Sequence, residues 1–285
     1  MGYLLFVSLL WGFSFGLIKN QLSGLDANFV SFVRMALAFL VFLPWLKLKN
    51  VPRKGQLLLI GAVQFGFMYI AYIFSYHYLK AYQVALFTIF TPVYVALLDD
   101  LLKHKFNPVH LSVAVVSVLG TWIIVWNQTS DKILWIGFGL VQISNLCFAL
   151  GQIFYRKYRG RQTRLIGEIQ IFALLYLGAL IVTGSAAMAT TDWSQLTVST
   201  DQWLTFVYLG IVASGLGFFL WNFGATKVNA GSLAVFNNLK IPLAILVTLL
   251  FFGEQASGWR LLVGGTIIIA ALWFNEKNER QRLNS

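Results

Sequence analysis

Acidic side chains are scarce: Asp and Glu together number 10 in 285 residues, and charged residues of both signs make up only 11% of the chain. A soluble domain of this length needs far more charge to clothe its surface, so a water-soluble globule is excluded. Cysteine is reduced to Cys147 alone, which excludes an internal disulfide and a cysteine-ligated metal cluster and leaves a small apolar filler as its plain reading. There is no GxxxxGKS or GxxxxGKT stretch, hence no phosphate-cradling ATPase loop. HExxH and a mid-run pair of carboxylates are missing too, so an enzyme is not expected and no catalytic residue, cofactor or metal is assigned.

What is abundant is oil. Hydrophobic residues make up 58% of the chain and the mean hydropathy is +0.73. Apolar runs of about 20 residues, the length that crosses a bilayer as a helix, occur ten times: roughly 3–19, 27–46, 56–78, 81–101, 108–126, 133–154, 168–190, 202–225, 229–252 and 258–275. The expected fold is an all-α integral membrane protein of ten transmembrane helices, with connections too short for a second soluble domain. The first run lacks a charged leader and a small-residue cleavage site, so it is read as a retained span.

The net charge of +11 describes topology and does not point to nucleic acid. Fifteen of the 21 basic residues follow the even-numbered spans, in clusters such as Lys47 to Lys54 and Arg156 to Arg164. Lys19, Lys80, Lys132 and Arg260 fall on the other side, and Arg34 and Lys240 lie within spans. Short loops rich in Lys and Arg stay in the cytoplasm, so both termini are expected inside a cytoplasmic (inner) membrane. Membrane lipid and a small-molecule solute are the expected partners, with a homodimer as an assembly the composition allows.

Sliding the chain along itself exposes a duplication. A shift of 149 superimposes Gly61 on Gly210, Val63 on Val212, Gly66 on Gly215, Phe74 on Phe223 and Ala81 on Ala230; a shift of 150 then pairs Pro92 with Pro242 and Leu111 with Leu261. Each half holds five spans, an odd number, so the halves enter the membrane from opposite sides. Such inverted repeats place a substrate site near the midplane where they meet.

Five stretches, "LLWGFSFGLIK" (9–19), "FVRMALAFLVF" (32–42), "TPVYVALL" (91–98), "IPLAILVTLLFFGE" (241–254) and "WRLLVGGTIIIAALWF" (259–274), resemble the EamA-type branch of the drug/metabolite transporter superfamily in their order and duplication. The resemblance implies a first repeat over 1–126, a second over 133–275, a cytoplasmic tail over 276–285, and a carrier that exports amino acids or related metabolites. The first half departs from the pattern, with Lys103-His104 where the second has Gly253-Glu254.

Candidate binding residues follow from depth and helical phase. Lys240 sits about eleven residues, hence about 16 Å, from either end of its span, beyond the reach of its own stem to the interface. A charge at that depth costs at least about 2.5–3.5 kcal/mol on insertion scales and usually faces a water-filled cavity or a partner. No Asp or Glu lies equally deep, so Lys240 is expected to await an anionic group carried by the solute, with Asn237 on the same arc; a structural lysine held by amides and carbonyls is the alternative. Asn238 lies about 100° away from Asn237 and reads as a cross-helix hydrogen bonder. Gln142, Asn145 and Gln152 form a second polar stripe. Tyr69 and Tyr72 share a face in the third span, with Trp221 the repeat counterpart of Tyr72; packing or cavity lining both fit.

Gln64 and mid-membrane Trp11 are further candidates. Arg34 lies about 10 Å from the outer face, from which its stem could snorkel outward; the resemblance, whose second span often carries an arginine here, keeps it as a secondary binding candidate. Pro92 and Pro242, inside paired spans, are expected to kink them and serve as gates. The histidines His77, His104 and His110 read as interfacial. A secondary transporter or facilitator that exports amino acids or related carboxylate-bearing solutes by alternating access is the leading function. An exchanger of phosphorylated metabolites or nucleotide sugars, which would want more than one deep cation, and a non-transporting membrane scaffold or lipid-handling protein stay open.

Overall fold

The computed structural model describes residues 2–22, 24–46, 51–79, 84, 87–104, 106, 108–125, 135–160, 167–251 and 258–284. Among them every regular element is helical. In chain order these are α1 (Gly2–Leu17), continuing as a π-helical stretch through Leu22, and α2 (Ala27–Phe42). Next come α3 (Lys54–Gly61) and α4 (Met68–Ser75), one rod joined by a π segment, Ala62–Phe67. Then follow α5 (Thr91–Lys103), α6 (Pro108–Val125), α7 (Trp135–Gly160) and α8 (Glu168–Thr190). A second rod couples α9 (Thr200–Val207) to α10 (Gly217–Ala225) through a π segment, Tyr208–Leu216, before α11 (Ala230–Phe251) and α12 (Gly258–Asn284).

Six stretches have the length and composition to cross a membrane: Ala27–Trp45, Lys54–Ser75, Trp135–Gly160, Glu168–Thr190, Thr200–Ala225 and Gly258–Asn275; α1 and α6 add shorter apolar helices. A bilayer core offers the backbone no hydrogen bonds, so a spanning chain must satisfy its own amides, which helices do. The outward face is as apolar as the inside: Leu59, Leu101, Trp135 and Met188 are between 63% and 77% exposed. In water such a surface would be untenable, whereas against lipid it is favourable. This is an integral membrane protein.

The rods pack as a reciprocal set. α2 lies along α8; the rod of α3 and α4 packs on α8 and α7, while the rod of α9 and α10 packs on α2 and α1. α1 also packs on α11 as α7 does on α5, and α6 lies along α12. Lipid gives no hydrophobic drive to press helices together, so close approach depends on small residues. Gly61 rests on the Leu175 carbonyl and Gly178 on Leu58, so α3 and α8 meet backbone to backbone at two points. At the other end of α8, Asp26 caps α2 by accepting from the Phe29 amide at 2.8 Å and accepts the Thr191 hydroxyl at 2.6 Å.

One expectation is corrected here. Pro92 does not kink a helix, because it occupies the first turn of α5, where its missing N–H would have had no intrahelical partner; Pro242 does lie inside α11. Residues 276–284 continue α12, since the Glu, Lys, Gln and Arg there sustain a helix after it leaves an apolar region. His110 is buried at the start of α6. Gly253, Glu254 and Ala81 lie outside the described residues.

The backbone contacts of α3 and α8 are testable. At Gly61 and Gly178 even a methyl group would fall on main-chain atoms of the facing helix, whereas a Cβ at Gly139 meets nothing within 4 Å. Gly61→Ala and Gly178→Ala are each expected to destabilise by about 1–3 kcal/mol or more, seen as lower melting midpoints of the detergent-purified protein, with Gly139→Ala unchanged. Equal midpoints for all three would contradict this packing.

Candidate functional site

A small cavity of about 80 Å³ opens between α1, α2, α4, α7, α10 and α11. α1 supplies Trp11 and Ser14, α2 supplies Arg34, α4 supplies Tyr69 and Tyr72, and α7 supplies Ser144, Asn145 and Phe148. Phe218 comes from α10 and Lys240 from α11, while Thr88 and Thr91 close the wall at the entry to α5. Five of the residues on this wall are aromatic. Trp11 packs on Trp221, Phe218 and Phe148 at centroid distances of 4.7, 5.1 and 5.9 Å.

Two cations meet this cavity. Lys240 is 7% exposed, and its Nζ lies 5.9 Å from the centroids of both Trp11 and Phe148. Ring faces attract a cation but do not accept its N–H groups as an oxygen does. Among the described residues no hydrogen bond or ion pair engages that amine. Arg34 is 2% exposed. Its Nη2 donates to the Tyr69 hydroxyl at 2.7 Å and the Ser214 hydroxyl at 3.0 Å, and its Cζ stands 4.4 Å over the Tyr69 ring. Nε and Nη1 have no partner among the described residues. The outward snorkelling expected for Arg34 is therefore corrected: hydroxyls and a tyrosine face hold it inward.

The remaining candidates divide into wall and frame. Trp11, Arg34, Tyr69, Tyr72, Asn145 and Lys240 converge on the cavity. Gln64 and Asn222 instead exchange both amide hydrogen bonds, at 2.8 and 2.9 Å, tying the first π segment to α10. Gln152 and Asn237 form a similar pair at 3.3 and 3.2 Å between α7 and α11, with Asn237 also donating to the Leu233 carbonyl. Asn237 is thereby committed to helix packing and does not share the cavity face with Lys240. Asn238 donates to the Ile89 carbonyl at 3.2 Å, the cross-helix bond its phase suggested. Trp221 is fully buried behind Trp11.

The second π segment explains why a tryptophan sits at mid-membrane. A π turn displaces carbonyls from their usual helical partners. Here Trp11 Nε1 donates to the Ala213 carbonyl at 2.9 Å, and the Tyr176 hydroxyl donates to the Ser214 and Gly215 carbonyls at 2.7 and 2.8 Å. Ser144, Phe148, Phe218, Thr88 and Thr91 were not singled out from the sequence. Phe148 and Phe218 offer no signal that separates a cavity wall from ordinary packing in so apolar a chain. Phe218 was findable as the repeat counterpart of Tyr69.

A second, polar opening lies at the end of the bundle where basic residues gather. It is bordered by Asp99, Lys103, Arg156, Arg159, Glu168 and Lys227 among others. Lys103 bonds Asp99 at 2.7 Å, Arg156 approaches Asp99 at 3.9 Å, and Arg159 pairs with Glu168 at 2.6 Å. Tyr155 donates to Glu168 as well. Asp99, Asp100 and His110 bring their ligand atoms within 4.8 Å of one another nearby.

The chain matches the EamA-like transporter family over residues 1–126 and 135–278. It is similar to a "Probable biotin transporter" of Pseudomonas aeruginosa, with 41% identity over 284 residues covering 99% of each chain. It is also similar to a "Biotin transporter" of Escherichia coli, with 37% identity over 281 residues covering 97% of this chain and 93% of the other. A "Probable amino-acid metabolite efflux pump" of Escherichia coli is 23% identical over 286 residues, covering 95% and 92%. One solved crystal structure shares the fold with a TM-score of 0.77 over 95% of this chain and 94% of the other, at 14% identity.

The frame makes its own prediction. Gln64→Leu leaves the Asn222 amide buried without its partner, which costs about 1–3 kcal/mol, whereas removing both amides restores an apolar contact. Gln64→Leu and Asn222→Leu should each lower the melting midpoint, and the double variant should lie above the sum of the two losses. Strict additivity would show that the pair is not coupled.

Proposed function

The chain belongs to the EamA-like transporter family, and we propose that within it this protein carries biotin, holding the carboxylate of the solute at Lys240. The observation that carries this reading is a deeply buried amine on the cavity wall with no carboxylate to meet it. A buried charge without a counter-ion is costly unless its partner arrives from outside. Names of relatives 36% to 41% identical over nearly the whole chain support the choice of solute. The cavity itself argues against the amino acids anticipated from the resemblance. An amino acid brings an ammonium group, and among the described residues the wall offers two cations and no Asp or Glu to receive it. Biotin brings a carboxylate, no ammonium, and an apolar ring and chain that suit Trp11, Phe148 and Phe218.

The carrier is built, in this reading, from ten spans in two inverted five-helix halves, residues 1–126 and 133–275, in the inner membrane with both termini cytoplasmic. The helix contacts support it: exchanging α1 with α7, α2 with α8, the rod of α3 and α4 with the rod of α9 and α10, and α5 with α11 maps most main pairs onto one another, the packing of α11 on α6 being one that has no counterpart among the described residues. The π segments support it too, because Ala62–Phe67 and Tyr208–Leu216 overlap the stretches that coincide at a shift of 149. Rocking the halves about the cavity exposes it to each side in turn. Pro242, inside α11 two residues after Lys240, is placed to let that helix bend in the cycle. Net direction then follows the solute gradient or a coupled ion.

Two cations on one cavity also favour a second reading, a doubly charged phosphate ester, because that class wants more than one deep cation. Competition separates the two: biotin should displace labelled biotin in liposome counterflow and simple phosphate esters should not. Lys240→Met should remain monodisperse in detergent, since methionine preserves length and removes the costly charge. Its biotin counterflow should fall at least about tenfold, the scale of one lost charge-assisted hydrogen bond. Lys240→Arg should fail substantially as well, because a planar guanidinium fills a different volume. A well-folded Lys240→Met protein with wild-type rates would remove Lys240 from the site.

Orientation has a separate check. A single cysteine at residue 195 should react with an impermeant thiol reagent from outside intact cells, and one at residue 157 only after the membrane is opened. The reverse pattern, or both on one side, would end the inverted-repeat topology.

A further inference from the structure

Resting on the biotin reading, we infer that Arg34 and Tyr69, positioned by Ser214, form a second subsite that receives the ureido carbonyl oxygen of the solute, at a distance from the carboxylate held by Lys240.

The argument is an accounting of donors. Arg34 Nη2 gives one N–H to the Tyr69 hydroxyl and the other to the Ser214 hydroxyl, at 2.7 and 3.0 Å. Those two hydroxyls lie 3.2 Å apart, so one of them can donate to the other, leaving one O–H free. The Nε and Nη1 hydrogens of Arg34 have no acceptor among the described residues. The cluster therefore holds a surplus of donors and no acceptor, although Arg34 and Tyr69 both stand on the cavity wall. An oxygen that only accepts completes it. Neither a hydroxyl nor an ammonium group of a solute would do so as well, because each brings further donors.

Charge decides which end takes which group. The positive charge of Arg34 is spread over two hydroxyls and the face of Tyr69 at 4.4 Å, whereas Lys240 touches only ring faces. The full negative charge of a carboxylate therefore belongs at Lys240 and the neutral carbonyl at Arg34. The stretch between them is aromatic: Phe218 lies 5.1 Å from Trp11 and 5.8 Å from Tyr69. That strip accepts the apolar ring and chain that join the two polar ends of biotin. Specificity then comes from requiring an acceptor at each end, since a site built to hydrogen-bond a group rejects the analogue that lacks it far more strongly than it senses a methylene.

The test uses the full chain in liposomes and measures displacement of labelled biotin by four compounds. Biotin and desthiobiotin keep both polar ends, 2-iminobiotin replaces the carbonyl oxygen by a protonated imine, and biotinol replaces the carboxylate by an alcohol. Wild-type protein should prefer biotin to iminobiotin by about 10- to 100-fold and should accept desthiobiotin. In Arg34→Gln the affinity for biotin should fall about tenfold or more while that for iminobiotin holds, so that the ratio collapses; discrimination against biotinol should persist. Lys240→Met should show the converse, losing discrimination against biotinol and keeping it against iminobiotin. A merely structural Arg34 would weaken all four compounds in proportion. If Arg34→Gln does not fold, Ser214→Ala and Tyr69→Phe give the same readout with a partial collapse. Biotin counterflow with an unchanged ratio in these variants would overturn this subsite alone. No displacement by biotin in the wild type would overturn the proposed function and this subsite with it.

Discussion

Two cations buried in a lipid-embedded bundle, with no carboxylate beside them, set the terms for everything else in this protein. In hydrocarbon neither Lys240 nor Arg34 could be held in place by hydration, and a salt bridge between residues of the chain would satisfy them permanently. The structure instead gives each a partial accommodation. Lys240 rests between the rings of Trp11 and Phe148, and Arg34 leans on Tyr69 and Ser214. A charge that is tolerated but not neutralised has affinity to spare for an anion, and that residual affinity is what a carrier needs.

Holding such residues requires a frame that does not collapse onto them. Glycines bring α3 and α8 into main-chain contact. Around the cavity, amide pairs stitch the helices together: Gln64 with Asn222 bridges the two halves of the sequence, and Gln152 with Asn237 ties α7 to α11 within the second. The π segment at Tyr208–Leu216 turns Ser214 toward Arg34, and its displaced carbonyls are covered by Trp11 and Tyr176. Trp11 thus has two duties, one edge capping the π segment and its ring face lining the cavity beside Lys240.

The sequence displayed the membrane class and several helix ends to within a few residues, because hydropathy and rise per residue are local quantities, although α7 and α12 run on past their apolar runs to Gly160 and Asn284. It misjudged what depends on neighbours. Arg34 has the stem to reach the interface, and only the positions of Tyr69 and Ser214, 35 and 180 residues away, hold it inside. Asn237 shares an arc with Lys240 on a wheel, yet Gln152 of α7 claims its amide. Pro92 and Pro242 pair in the repeat, but a 3-10 turn before α5 puts the first at a helix start. The amino-acid expectation loses support for a chemical reason: the sequence already shows no acid as deep as Lys240, but that Arg34 shares its cavity, which disfavours an ammonium group, is visible only once the cavity wall is assembled.

The most direct measurement of whether the buried cations await an anion is the melting midpoint of the purified protein in detergent with solute added. A ligand that binds only the folded state raises that midpoint in proportion to its affinity. Biotin should raise it in a concentration-dependent way, and biotinol, identical but for an uncharged alcohol in place of the carboxylate, should leave it unmoved at the same concentrations. Equal stabilisation by the two compounds, or none by biotin, would contradict the claim that an anionic group completes the site.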